Sequence, residues 1–118
     1  MRFLIMIHHD EAVLEALPPE EMQSLVDQAL EWDDEMRRGG HYVASDALQS
    51  SRTARTIRVH GGKLSTTDGP FAETKEQLGG FILVEARDMD EACALAARFP
   101  PLRIGTIEVR PVQELKHS

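Results

Sequence analysis

Two strand-length runs in this chain are apolar on both alternating faces, and they restrict the fold more than any other feature. The first is Phe3-Leu4-Ile5-Met6-Ile7-His8; the second spans residues 80–86, with Phe81 and Leu83 on one face and Ile82 and Val84 on the other. Such runs belong in the middle of a sheet, and each must have both faces covered. Between and after them the chain has helical signals. From Glu20 to Arg38 the residues Met22, Leu25, Ala29, Trp32 and Met36 recur at spacings of three and four, and Val26 and Leu30 widen the stripe. Trp32 lies on that stripe and is read as core. Glu20 and Glu21 at the start, Arg37 and Arg38 at the end and Gly39-Gly40 beyond them complete the helix, with Pro19 suited to its first position. Asp10 can cap a shorter helical turn that runs to Leu17 before Pro18-Pro19.

Residues 41–48 and 54–60 read as strands, and Gly61-Gly62 turns the second into another over Lys63 to Thr67, giving a hairpin. Asp88-Met89-Asp90-Glu91 has capping-box spacing and opens a helix to about Phe99, stopped by Pro100-Pro101; Ile104 to Arg110 is the last strand. The order strand, helix, strand with added hairpin, strand, helix, strand predicts an α+β ferredoxin-like plait in one domain over residues 1–118. The two doubly apolar runs then fall in the middle of its sheet. Both helices of such a plait lie on one side. The other side must be covered by something else, because exposing several Ile, Leu or Phe side chains forfeits roughly 1.5 to 3 kcal/mol each. The eight residues after Arg110 are too short a tail to do so, which predicts a homodimer, a dimeric α+β barrel with a cleft between sheet face and loops.

Composition removes several functions. The net charge of −7, with 13 Lys and Arg scattered along the chain, opposes direct binding of nucleic acid. The apolar N-terminus is too short for a signal-peptide core and no run is long enough for a bilayer, so a cytoplasmic protein without a membrane partner is expected. The five histidines show no paired helical spacing, and Gly39-Gly40, Gly61-Gly62 and Gly79-Gly80 read as stops and turns, so neither a metal nor a nucleotide cofactor is expected. The single cysteine, Cys93, stands in an Ala-rich run and reads as a small buried residue.

The chemistry-bearing stretch is Asp68-Gly69-Pro70-Phe71-Ala72-Glu73-Thr74-Lys75-Glu76-Gln77-Leu78-Gly79-Gly80-Phe81. Asp68 is either a turn residue bonded to backbone amides or a carboxylate aimed into the cleft as general base or polar anchor. Glu73 and Lys75 either ring the pocket mouth or form solvated ion pairs, and Phe71 closes the pocket or plugs the core. His8 and His9 point to opposite sides of their strand, so only one enters the cleft. If it is His8, that residue serves as the acid beside Asp68 or Asp46, the latter an acid in an otherwise mild strand. The candidate catalytic pair is thus Asp68 and His8, with Asp46, Phe71, Glu73 and Lys75 as binding residues for a small polar or aromatic ligand.

That stretch, together with Pro19-Glu20-Glu21-Met22, Asp88-Met89-Asp90-Glu91-Ala92 and Ile107-Glu108-Val109-Arg110-Pro111-Val112, resembles the DGPF branch of the YCII-related family in order and spacing over nearly the whole chain. The resemblance implies a dimeric α+β barrel with a cleft. Some YCII-related members look like enzymes built on a histidine and aspartate pair, and one branch removes halide from chlorinated hydroxyquinols. Their histidine lies on the first helix, where Ala29-Leu30-Glu31-Trp32 offers none, whereas Asp68 is a counterpart for the acid. DGPF members are often encoded beside extracytoplasmic-function sigma factors. This gives an alternative to acid/base enzyme chemistry: a non-catalytic ligand sensor, or an interaction partner in a regulatory pathway.

Overall fold

The computed structural model describes all of residues 1–118 as a mixed α+β chain. Strand β1 (Arg2–His9) leads through a short helix α1 (Glu11–Glu15) to the long helix α2 (Pro19–Arg38). Strands β2 (Tyr42–Ala47), β3 (Arg55–His60), β4 (Lys63–Asp68) and β5 (Gln77–Glu85) follow, then helix α3 (Met89–Ala96) and strand β6 (Gly105–Pro111). Four strands form an antiparallel sheet in the order β2-β5-β1-β6, and β3 pairs only with β4. The two doubly apolar runs are therefore the two central strands. β5 begins at Gln77, earlier than residue 80, because a register shift between Ile7 and His8 lets Leu78 and Gln77 continue the ladder.

Local chemistry sets the element ends. The Asp10 carboxylate accepts the Ala12 amide at 3.0 Å and starts α1, and Pro19 occupies the first turn of α2. At α3 the Asp88 side chain accepts the Glu91 amide at 2.9 Å, while Glu91 reaches back to the amide of Arg87 at 2.8 Å. The reciprocal half of this capping box thus lands one residue before the cap. Helix α3 stops at Ala96, short of Phe99, and Pro100 opens a 3-10 turn to Ile104.

The core lies between the sheet and the helices. Phe3 and Ile5 of β1, Ile82 and Val84 of β5, Trp32 and Met36 of α2, and Ala92, Leu95 and Ala96 of α3 are buried together with Phe99. Burial alternates along the central strands: Phe3 and Ile5 are fully covered, whereas Leu4, Met6, Phe81 and Leu83 on the opposite face are half-buried. The chain covers only the helix side of its sheet. Cys93 corrects the sequence reading: it is exposed, because in the three-to-four spacing of α3 Ala92, Leu95 and Ala96 take the inward face and residue 93 turns out.

The β3–β4 pair packs on little besides itself. Ile57, Val59 and Leu64 share one of its faces and are 67 to 70% exposed. This projecting arm is one reason why the radius of gyration, 16.4 Å, exceeds the roughly 13 Å usual for a chain of this length.

Candidate functional site

The helical stripe that the sequence presents as one surface serves two purposes. Leu25, Trp32 and Met36 are buried, but Val26 and Leu30, on its wider edge, remain 42% and 56% exposed. Together with Met22 and Ala29 they form one wall of a cleft of about 600 Å³. The opposite wall is the helix side of the sheet, with Ile7, Ile82 and the end of β2, and α1 and residues 48–50 close one end. Its volume falls within the range of small-ligand sites, and 13 of its 24 lining residues are hydrophobic.

Polar groups enter this apolar space at a few points. Of the two neighbouring histidines it is His9 that lines the cleft, because residues 3, 5, 7 and 9 share the helix side of β1. A Cβ on Gly79 would stand 1.8 Å from Cε1 of His9, so the imidazole lies directly over a backbone floor that has no side chain. Asp33 projects from α2 beside Ser45 of β2, whose hydroxyl donates to its carboxylate at 3.4 Å. Desolvation raises the Asp33 pKa above the usual aspartate value; the Ser45 bond and nearby Arg37 offset this in part. Glu11, at the closed end, accepts the backbone N–H of Ser51 at 2.6 Å and the hydroxyls of Ser51 and Ser50 at 3.0 and 3.2 Å. Its pKa is held down first by that backbone bond, with burial opposing. Glu15 at the mouth pairs with Arg52 at 2.7 Å.

The residues singled out in the sequence separate in space. Asp46 borders the cleft, but its pairing with Phe81 turns its side chain to the helix-free face, opposite to Ser45. His8 turns to the helix-free face, alongside Leu4 and Met6. Asp68 ends β4 with its side chain 91% exposed and 3.5 Å from Arg55. Gly69, at φ 101°, turns the chain back there: its N–H donates to Ala54 at 2.7 Å and its carbonyl accepts from Thr56 Oγ1 at 2.9 Å. Phe71 is 78% exposed, and its carbonyl accepts from Arg58 at 3.3 Å. Glu73 and Lys75 line a second, polar depression with Asp10, Ser51 and Arg52. The structure therefore does not bring Asp68 and His8 together in the cleft.

Asp33, Glu11, Ser45 and His9 carry the polar chemistry of the cleft, and the sequence held a signal for the first of them. Asp33 follows Ala29 by four residues and Val26 by seven, which puts an acid on the same helical face as the exposed part of the stripe. Glu11 gave no such signal, since its partners are about forty residues away.

No group of three or more His, Cys, Asp or Glu side chains is arranged to hold a metal ion, and no helix is long and apolar enough to cross a membrane. A family model described as the YCII-related domain matches residues 1–116. An uncharacterized protein of Rhizobium meliloti (strain 1021) is 32% identical over 114 residues, covering 95% of this chain and 92% of the relative.

Proposed function

We propose a ligand-binding function for this chain, which belongs to the YCII-related family: the cleft between α2 and the sheet takes a small molecule, and the working unit is a homodimer. One observation carries the binding reading. An apolar space of about 600 Å³ opens within a single protomer, and the carboxylate of Asp33 lines it with only one hydroxyl as hydrogen-bond partner. A half-buried acid at an apolar cleft is costly for folding alone and useful for orienting a polar group of a ligand. Asp33 and His9 also set a carboxyl and an imidazole on opposite walls, the kinds of group that proton-transfer chemistry on a bound molecule uses.

The test is a screen of small aromatic and polar compounds for protection against heat, run on the parent chain and on Asp33→Asn and Asp68→Asn. Compounds that raise the melting temperature of the parent should lose their effect in Asp33→Asn and keep it in Asp68→Asn. Loss confined to Asp68→Asn would return the site to the turn after β4.

The homodimer reading rests on the helix-free face. Leu4, Met6, Phe81 and Leu83 lie together across β1 and β5 and are only half-covered. A second copy related by a two-fold axis would present the same patch to it, which suits an isologous interface. Sedimentation at micromolar concentration should give twice the chain mass of 13.2 kDa. A single-chain mass would overturn the dimer and leave the cleft reading intact, because the cleft is lined by one chain.

A further inference from the structure

The charged lining of the cleft has one sign. Glu11, Glu15 and Asp33 reach it, and no lysine or arginine does. Two of these acids are already satisfied: Glu11 by the Ser50–Ser51 turn and Glu15 by Arg52. Asp33 has no ion-pair partner. Asp33 has the Ser45 hydroxyl at 3.4 Å, and Arg37, the nearest cation on its own helix, is 2.8 Å from Asp34 and lies over the Tyr42 ring. The uncompensated negative charge of the cleft is thus that of Asp33, where α2 meets β2, in a wall of which 13 of 24 residues are hydrophobic.

Resting on the reading of this cleft as a ligand site, we propose that its ligand is an organic cation: a protonated amine held by Asp33 at the Ser45 end, on an apolar body that fills the space between α2 and the sheet. A carboxylate or phosphate ligand would meet like charges with no lysine or arginine in the wall to offset them. A neutral ligand would leave Asp33 desolvated without an ionic partner. An ammonium group, by contrast, supplies the charge-assisted bond that the site lacks. Glu11, whose three hydrogen bonds within the protein occupy its oxygens, closes the far end and does not compete for the amine.

Three probes of matched body distinguish the possibilities: 4-phenylbutylamine, 4-phenylbutanol and 4-phenylbutyrate, titrated calorimetrically into the full chain at neutral pH. Trp32 emission provides a second readout. Trp32 is the single tryptophan, and it meets Phe99, a cleft residue, edge to face at 5.1 Å. The amine should bind about tenfold or more tighter than the carboxylate, with the alcohol between them. Asp33→Asn should abolish the advantage of the amine over the alcohol. Asp90→Asn, which removes the same charge from the exposed first turn of α3, should preserve it. The proposal is overturned if the alcohol or the carboxylate binds as tightly as the amine, or if Asp33→Asn and Asp90→Asn behave alike. Silence from all three probes would instead refute the cleft as a binding site.

Discussion

Trp32→Ala is expected to lower the stability of the fold by about 3 to 5 kcal/mol, the range for removing a large aromatic side chain from a core. The indole is 3% exposed, touches Phe99 edge to face, and donates its Nε1–H to the Leu95 carbonyl at 3.1 Å. It therefore joins α2, α3 and the turn before the Pro100–Ile104 segment through one side chain. Trp32→Phe separates the contributions: the ring contact survives in part, but the Leu95 carbonyl loses its side-chain donor, at a cost of about 1 to 3 kcal/mol. Urea denaturation of the two variants measures both. Since whole domains are stable by only about 5 to 15 kcal/mol, the alanine variant should be close to unfolding at ambient temperature. A loss below about 1 kcal/mol for Trp32→Ala would show that the helices do not pack through this residue.

The second large effect is expected at Gly105, which opens β6 opposite His9. A Cβ there would stand 2.4 Å from the carbonyl oxygen of His8, a backbone atom held in the β1–β6 ladder. The backbone of Gly105 is extended, with φ −153°, so alanine is acceptable as a conformation and only the space is missing. Gly105→Ala must therefore push β6 away from a central strand. A cost of about 1 to 3 kcal/mol is expected, with the loss falling on amide protection at Ile7, His8 and Ile107 rather than on α2. Hydrogen exchange followed residue by residue would reveal it. Uniform loss of protection across the molecule would mean that the clash is relieved elsewhere.

The architecture was legible because its signals are local and periodic. The stripe on α2, the caps at Asp10 and Asp88, the proline at the start of α2 and the doubly apolar central strands each rest on spacing within one segment, and each is found in the structure. The site was legible only in part, because a cleft is made by residues distant in sequence. Asp46 borders it with its side chain on the other face of β2, and the stretch from Asp68 to Phe81 draws attention to Asp68, whose turn chemistry serves the base of the β3–β4 pair. Between His8 and His9 the alternation of the strand fixed that they diverge; which one met the helices depended on the side that α2 covers. Cys93 was misread for a related reason: an alanine-rich run has no contrast from which to tell an inward from an outward position. Val26 and Leu30 looked like core because an apolar residue facing a cleft and one facing a packed interior carry the same sequence signal.

The imidazole of His9 over the bare backbone of Gly79 has a meaning for how such a sequence can diverge. The two positions occupy one volume, so a side chain can stand at 9 or at 79 but not at both without moving the ring. Drift at either is conditional on the other. Among descendants of a common ancestor the pair should be inherited as a unit, and a lineage that abandons the histidine is released from the glycine.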